Sequence, residues 1–348
     1  MNNPELKKGN EETIVSVCIA NYNGERFLSD SIDSVLKQSF CHRVEIIVHD
    51  DASTDNSVNI IKEKYPEVML IQSQENVGFC VSNNRMVAVA SGKYVLLLNN
   101  DASIRPDALS ALYDYSLTRG DGVYGLPQYD AQTGDLIDRG SFFDPFLNPV
   151  PNKSLQCDNV GMIIGACLWM PRHVWNELGG FPEQFGSLAE DMYICCLARL
   201  NNYAISVVPS SGFDHWVGGS LGGGKIGKNN ELSTTLQRRS FSERNKTFVM
   251  VVCFPTLLLS LILPIHCFFL LTEGILLSIV KRDVELWSKI YTHCLKELWR
   301  KKSFLWKQRK FVQFSRANKS CRAFISVMNL MPYKLKMLFK HGIPHVQR

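Results

Sequence analysis

The stretch Ile14-Val15-Ser16-Val17-Cys18-Ile19-Ala20-Asn21-Tyr22-Asn23-Gly24-Glu25 decides the fold. It is a short apolar run, rich in β-branched residues, that ends abruptly in a polar cluster. A continuous apolar run of this length suits a strand buried on both faces, the state of a parallel strand between helices. The pattern then repeats along the chain. Phe27–Leu36 has helical spacing, with Leu28, Ile32, Val35 and Leu36 on one face, and Val44–Val48 is a second strand. Asp55 is placed as the N-cap of a helix through Tyr65, which Pro66 ends. Val68–Ile71, a helix over Val81–Ala90 and the apolar run Tyr94–Leu98 follow. Strands separated by helices of this length predict βαβ units and an α/β fold. Polar clusters stand just after the strands, at Asn21–Glu25, Asp50–Asp55 and Asn99–Asp101. Ligands of an open α/β sheet bind at those carboxyl ends.

Further along, Asp121–Pro151 is rich in Gly, Pro and Asp and predicts loops with short strands. A second unit follows: strand Met162–Met170, helices Arg172–Leu178 and Leu188–Leu200, strand Ala204–Val208. The glycine-rich Gly218–Gly227 suggests a mobile lid. The chain has 348 residues, 45% of them hydrophobic, enough for a sizeable core and against wholesale disorder. Its net charge of +5 is unevenly spread: from Lys281 onward there are 17 Lys and Arg against 3 Asp and Glu. A basic tail behind an acidic body implies an anionic partner for the tail. The 11 cysteines are scattered and form no C-x-x-C pair, which favours reduced structural thiols over disulfides or zinc. Met1–Thr13 lacks the apolar core of a signal peptide, so a cytosolic body is expected.

Three acidic clusters carry candidate chemistry. In His49–Asp55, carboxylates at a strand end can accept from a nucleobase N–H or from ribose hydroxyls, although the same residues suit a turn and a helix cap. Asn99-Asn100-Asp101 follows the most apolar strand, where a carboxylate can hold Mg²⁺ or Mn²⁺ beside substrate phosphates. Glu190-Asp191 opens a predicted helix and could take a proton from a hydroxyl, or simply complement the helix dipole. His215, after the strand Ala204–Val208, could bind metal or phosphate.

Order and spacing add more than any single motif. Ile14–Glu25, V-H-D-D-A-S-T-D-N-S at Val48–Ser57, N-V-G-F at Asn76–Phe79 and L-L-L-N-N-D at Leu96–Asp101 come first. G-A-C-L-W-M at Gly165–Met170, G-G-F-P-E at Gly179–Glu183, Glu190-Asp191 and His215 complete the series. The sequence thereby resembles the family 2 glycosyltransferases, over roughly residues 13–245, with the flavour of the rhamnosyltransferase-like subgroup. The resemblance implies a GT-A (Rossmann-like) mixed sheet flanked by helices. It implies a nucleotide-sugar donor contacted by Ala20, Asn21, Asn23, Glu25, Asp50, Asp51, Asn76, Asn100 and Glu190. Asp101 and His215 would serve Mn²⁺ or Mg²⁺ and the donor diphosphate, and Asp191 would be the base for an inverting transfer. Three positions depart from the family pattern. Asn99 replaces the first carboxylate of D-x-D, Pro182 stands in the G-G-F-D-E position, and Met192-Tyr193 follow Glu190-Asp191.

Phe248–Val280 contains one acidic residue, Glu273, and neither Lys nor Arg. It exceeds the roughly 20 residues that cross a bilayer. Basic stretches on both sides, Lys225–Lys246 and the tail, oppose a single crossing. Pro255 and Pro264 can break the helix, so the expectation is a monotopic or peripheral anchor on the cytoplasmic face of the cell membrane, with the tail on anionic lipid. The domains expected are 13–245, catalytic, and 246–348, a membrane-associated helical region. A glycan or lipid-linked glycan is the expected acceptor. Without G-x-G-x-x-G after the first strand, a dinucleotide oxidoreductase is excluded. A tail that adjoins an apolar anchor disfavours nucleic acid as partner. The alternative of an inactive membrane-bound nucleotide-sugar scaffold has no need of Asp101 or Glu190-Asp191.

Overall fold

The computed structural model describes residues 12–216, 223–226, 232–317 and 320–347. Most of the glycine-rich segment Gly218–Gly227, with part of the basic stretch Lys225–Lys246, lies outside the described residues, as does the N-terminus through residue 11. Among the described residues the strands that matter are β1 (Val15–Asn21), β2 (Val44–Asp50), β3 (Met69–Gln72), β4 (Tyr94–Asn99) and β5 (Ala102–Ile104). They continue with β6 (Gly122–Gly125), β7 (Gln128–Asp130), β8 (Cys167–Pro171), β9 (Ala204–Val207) and β10 (Phe213–His215). The helices used below are α1 (Leu28–Leu36), α2 (Ser57–Lys64), α3 (Phe79–Val89), α4 (Ala108–Arg119), α5 (Arg172–Leu178) and α6 (Glu190–Leu200). Beyond them run α7 (Leu236–Cys253), α8 (Thr256–Lys281), α9 (Lys302–Ser315) and α10 (Tyr333–His341).

The central sheet has seven strands in the order β9-β6-β8-β4-β1-β2-β3. All neighbours are parallel except β8, which runs antiparallel to both β4 and β6. The expected mixed α/β architecture is therefore present. Both faces are covered: Val17 and Ile19 of β1 pack with α1 and α4, while Cys18 packs with the core of α3, α5, α6 and α7. Covering both faces is what makes the apolar runs continuous rather than alternating.

Several expectations change in detail. Asp55 is not the N-cap of α2; Asn56 holds that place, and Asp55 Oδ1 instead accepts from Ser57 N at 3.0 Å. The expected strand Met162–Met170 splits. Met162 exchanges backbone hydrogen bonds with Ser141, and only Cys167–Pro171 enters the sheet. The apolar run Phe248–Val280 also divides. Phe248–Phe254 is buried core, with Phe248, Val249 and Met250 fully enclosed. A break at Phe254-Pro255 separates it from α8, whereas Pro264 sits inside α8 without ending it. The helix α7 runs unbroken through residues 245 and 246.

One stripe of α8, Leu259, His266, Leu270, Gly274 and Leu277, is buried. Its other face exposes Leu257, Leu261, Ile265, Phe268, Ile275, Leu276 and Ile279. Polar contacts pin the buried stripe: Glu273 pairs with Arg239 of α7 and, at 2.7 Å, with Lys334 of α10. Lys334 also reaches Glu243 at 2.5 Å, and Lys246 reaches Glu243 at 2.8 Å.

Candidate active site

Parallel register builds the site. In β1 and β2, Asn21 stands opposite Asp50; in β1 and β4, Ala20 stands opposite Asn99. Three polar strand ends therefore share one edge, at the point where the chain crosses from one side of β1 to the other. A buried chain of side-chain hydrogen bonds joins them. Asn100 Nδ2 donates to Asn21 Oδ1 at 2.8 Å, and Asn21 Nδ2 donates to Asp50 Oδ1 at 2.9 Å. Gly24 must be glycine here: a Cβ would lie 2.2 Å from both Asn100 Nδ2 and Asn21 Oδ1.

The carboxylates and amides of this edge also hold its loops. Asp51 accepts from Val77 N at 2.7 Å and Gly78 N at 2.8 Å, so it clamps the turn entering α3 beside the exposed Asn76. Asn23, left-handed at φ 50°, accepts from Thr54 N at 2.8 Å. Glu25 accepts from Asn56 N at 2.7 Å. These internal partners leave further acceptor positions on each carboxylate, since an ionised carboxylate has about four.

The next two groups arrive through tertiary pairing. Strand β10 lies antiparallel to β5, with His215 opposite Ala102, and Trp216 N donates to Asp101 O at 2.9 Å. His215 Nε2 is 3.1 Å from Asp101 Oδ1, and its Nδ1 is 2.7 Å from the Gln128 amide. Both Asp101 and His215 are buried. Gln128 Nε2 donates to His215 Nδ1, which leaves His215 Nε2 to carry the proton and donate to Asp101 Oδ1. An oxygen-seeking divalent ion fits Asp101 if it draws its remaining ligands from phosphate and water, and His215 joins it only where Nε2 gives up its proton. Among the described residues no group of three or more His, Cys, Asp and Glu side chains gathers to hold a metal by itself.

Glu190 and Asp191 reach the same edge by way of β8. Asn99 N donates to Ala166 O at 3.0 Å, and the adjoining Gly165 N donates to Asp191 Oδ2 at 3.0 Å. Asp191 Oδ1 also accepts from Met192 N at 2.7 Å. Burial raises the pKa of both carboxyls; the neighbouring Asp191 charge adds to the effect on Glu190, which reaches about 8. Glu190 Oε2 is buried without a hydrogen bond, whereas both Asp191 oxygens accept N–H groups. Hydrogen bonds to the charged form favour it. The pair at neutral pH thus keeps its proton on Glu190 and its charge on Asp191. The Arg238 guanidinium of α7 faces both and loses basicity through its burial.

Every residue expected at the site lies on or beside the carboxyl edge, but they divide into groups. Ala20, Asn21, Asp50 and Asn100 form one connected cluster. Asn23, Glu25, Asp51 and Asn76 belong to the loops around it. Asp101 with His215, and Glu190 with Asp191, are two further pairs. Gln128, Gly165, Arg238 and Asn245 were not anticipated. Gly165 opens a quoted motif, but nothing local marks the other three, because long-range packing gives them their places.

A mixed sheet with a polar carboxyl edge of this kind matches the GT-A class of fold. Residues 16–179 match the family model of Glycosyl transferase family 2. A stretch of 162 residues is 34% identical to the teichuronic acid biosynthesis glycosyltransferase TuaG of Bacillus subtilis (strain 168), covering 46% of this chain and 62% of that protein. The match thus spans less than two thirds of that relative. The crystal structure of Staphylococcus aureus TarS 1-349 aligns with TM-score 0.50 at 16% identity, over 83% of this chain and 92% of that one. GalNAc-T7, solved with UDP, GalNAc and Mn²⁺, aligns with TM-score 0.51 at 16% identity, over 58% of this chain and 43% of that one. Identities this low carry the fold alone.

Proposed function

We propose that the protein is an inverting glycosyltransferase that moves a sugar from a nucleoside diphosphate sugar to a hydroxyl of a glycan or lipid-linked glycan in cell-surface polysaccharide synthesis. The observation that carries this is the meeting, at one carboxyl edge, of a polar nucleotide-side cluster, the Asp101–His215 pair and a buried carboxyl pair sharing one proton. The motif order supports a rhamnosyltransferase-like subgroup, and the similarity to TuaG supports a polysaccharide acceptor.

In this mechanism Asn21, Asp50, Asp51 and their loops bind and orient the nucleoside. Asp101 and His215 would hold Mn²⁺ or Mg²⁺, which supplies charge neutralisation for the diphosphate when bound. Asp191 accepts the proton of the acceptor hydroxyl through a lone pair left free by Gly165 and Met192. The acceptor oxygen forms its bond to the anomeric carbon as the bond to the diphosphate oxygen breaks and its electron pair leaves with the diphosphate. Glu190 stays protonated and leaves Asp191 as the single anion. One displacement with one base inverts the anomeric centre.

The chain also belongs, in this proposal, on the cytoplasmic face of the cell membrane. The 26-residue α8 has mean hydropathy 1.9 and would span about 39 Å, enough for a bilayer. Its Glu273 is tied to Arg239 and Lys334, and one stripe packs on protein, which supports lying in the surface over crossing it. Exposed Trp299, Trp306, Phe311, Phe314 and Phe339, interleaved with Lys and Arg, suit the interface with anionic lipid.

The test is a transfer screen with UDP-, GDP- and dTDP-sugars, Mn²⁺ or Mg²⁺, and glycan acceptors. Turnover of one donor is expected. No turnover of any donor, with folded protein, would remove the transferase assignment.

A further inference from the structure

The carboxyl pair stands on an unusual entrance to α6. Leu188 and Ala189, directly before Glu190, are both left-handed, at φ 71° and 67°. Residues with a Cβ disfavour that region, and two in succession need outside support. Local capping does not provide it: Ala189 occupies the N-cap position and offers no side-chain hydrogen bond. The support comes from α7. Asn245 is fully buried, and its Nδ2 donates to Phe185 O, Ser187 O and Leu188 O at 3.1, 2.9 and 2.8 Å. Arg244 Nε donates to Asn245 Oδ1 at 2.9 Å, which fixes the amide with its nitrogen toward those carbonyls. Arg244 Nη2 adds a bond to Phe185 O at 2.9 Å. From the opposite side, Cys80 N of α3 donates to Gly186 O at 3.1 Å.

We propose that Asn245 is the positioning residue of the Glu190–Asp191 pair: its amide gathers the carbonyls of residues 185–188 and imposes the left-handed turn that aims both carboxyls at the sheet edge. Its catalytic consequence rests on the transferase proposal above; the positioning itself does not. Asn245 touches neither donor nor acceptor in this arrangement, so it acts on turnover and not on donor binding.

Three proteins decide the matter: wild type, Asn245→Ala, and Asn245→Ala combined with Ala189→Gly. Glycine adopts the left-handed region without steric cost, so it replaces part of what the amide enforces. Asn245→Ala is expected to lower kcat about 100-fold, the size of an ångström-scale misplacement, with donor Kd within about twofold of wild type. The double variant is expected to recover roughly tenfold, the population cost of one left-handed residue. Independently of activity, backbone amides of residues 186–192 are expected to exchange faster in Asn245→Ala, while those of β1 and β4 do not. If alanine leaves the protein unfolded, Asn245→Ser, which keeps one donor, takes its place with a smaller loss. Unchanged exchange at 186–192, or a kcat loss that Ala189→Gly fails to restore, overturns the proposal. A wild type inactive on every donor overturns only the transferase assignment and leaves the exchange measurement to judge Asn245.

Discussion

Asp191→Asn separates catalysis from architecture at the proposed base. The side chain keeps its shape but offers one acceptor oxygen where the carboxylate offers two. Asp191 accepts from Gly165 N at 3.0 Å and from Met192 N at 2.7 Å, so one of these donors would face an NH₂ group. A charge-assisted bond is worth about 1.5–3 kcal/mol and a neutral one about 0.5–1.5. Met192 N lies in the first turn of α6 on a buried residue, so losing its partner is the main cost. Removing a buried charge whose pKa is raised by burial offsets part of the loss. The net change in stability is therefore expected to stay below about 2 kcal/mol. Turnover behaves differently. Proton removal by a positioned carboxylate contributes about 10²–10⁴-fold, which corresponds to about 2.7–5.5 kcal/mol of barrier. Asp191→Asn should bind donor with near wild-type affinity by calorimetry and lose at least about 100-fold in transfer. The pH profile gives a second readout. A base must be ionised, so activity rises with pH as Asp191 loses its proton. Glu190 is still protonated in that range, its own pKa lying near 8. Glu190→Gln should therefore leave the acid limb in place, while Asp191→Asn erases it. Near-normal turnover in Asp191→Asn would refute the assignment, and lost donor binding would move Asp191 into the donor pocket.

Asp101→Ala should abolish transfer, with Asn99→Ala milder; full activity of either Asp101→Ala or the wild type in chelator would show that no ion is held there. Gly24→Ala drives a methyl to 2.2 Å from two members of the Asn100–Asn21–Asp50 chain and should cost about 1–3 kcal/mol in denaturant unfolding, an effect that wild-type stability would disprove. Glu243 is buried against Lys246, Lys334 and Arg239; burial opposes its charge, but these cations outweigh it and hold the carboxyl well below the usual range. Its depressed folded pKa contributes stability above the unfolded value of about 4.3, lost as pH falls through the folded pKa. Glu243→Gln should therefore cost about 3–5 kcal/mol at pH 7 and flatten the acid side of the stability curve, and an unchanged curve would count against the cluster. Flotation with anionic vesicles should capture the full chain, and replacing Phe311 and Phe314 by Glu should weaken capture; equal recovery with and without vesicles removes the membrane proposal.

The strand–helix alternation, the continuous apolar runs and the polar clusters at strand ends were legible in the sequence, because burial and backbone propensity act over a few residues. So were the α/β class and the carboxyl edge where the candidate residues gather. The sequence alone could not assign Phe248–Phe254 to the core and α8 to the surface, because both are equally apolar and only packing, against α6 on one side and α9 and Phe324 on the other, separates them. Nor could it assign roles within the acidic clusters. That Asp51 clamps Val77 and Gly78, or that Gln128 orients His215, depends on contacts between residues far apart in the chain. The same holds for the charge state of Glu190-Asp191. The two letters are the same in any solvent-exposed helix, and only tertiary burial, with N–H groups on both Asp191 oxygens while Glu190 Oε2 has none, decides which holds the proton.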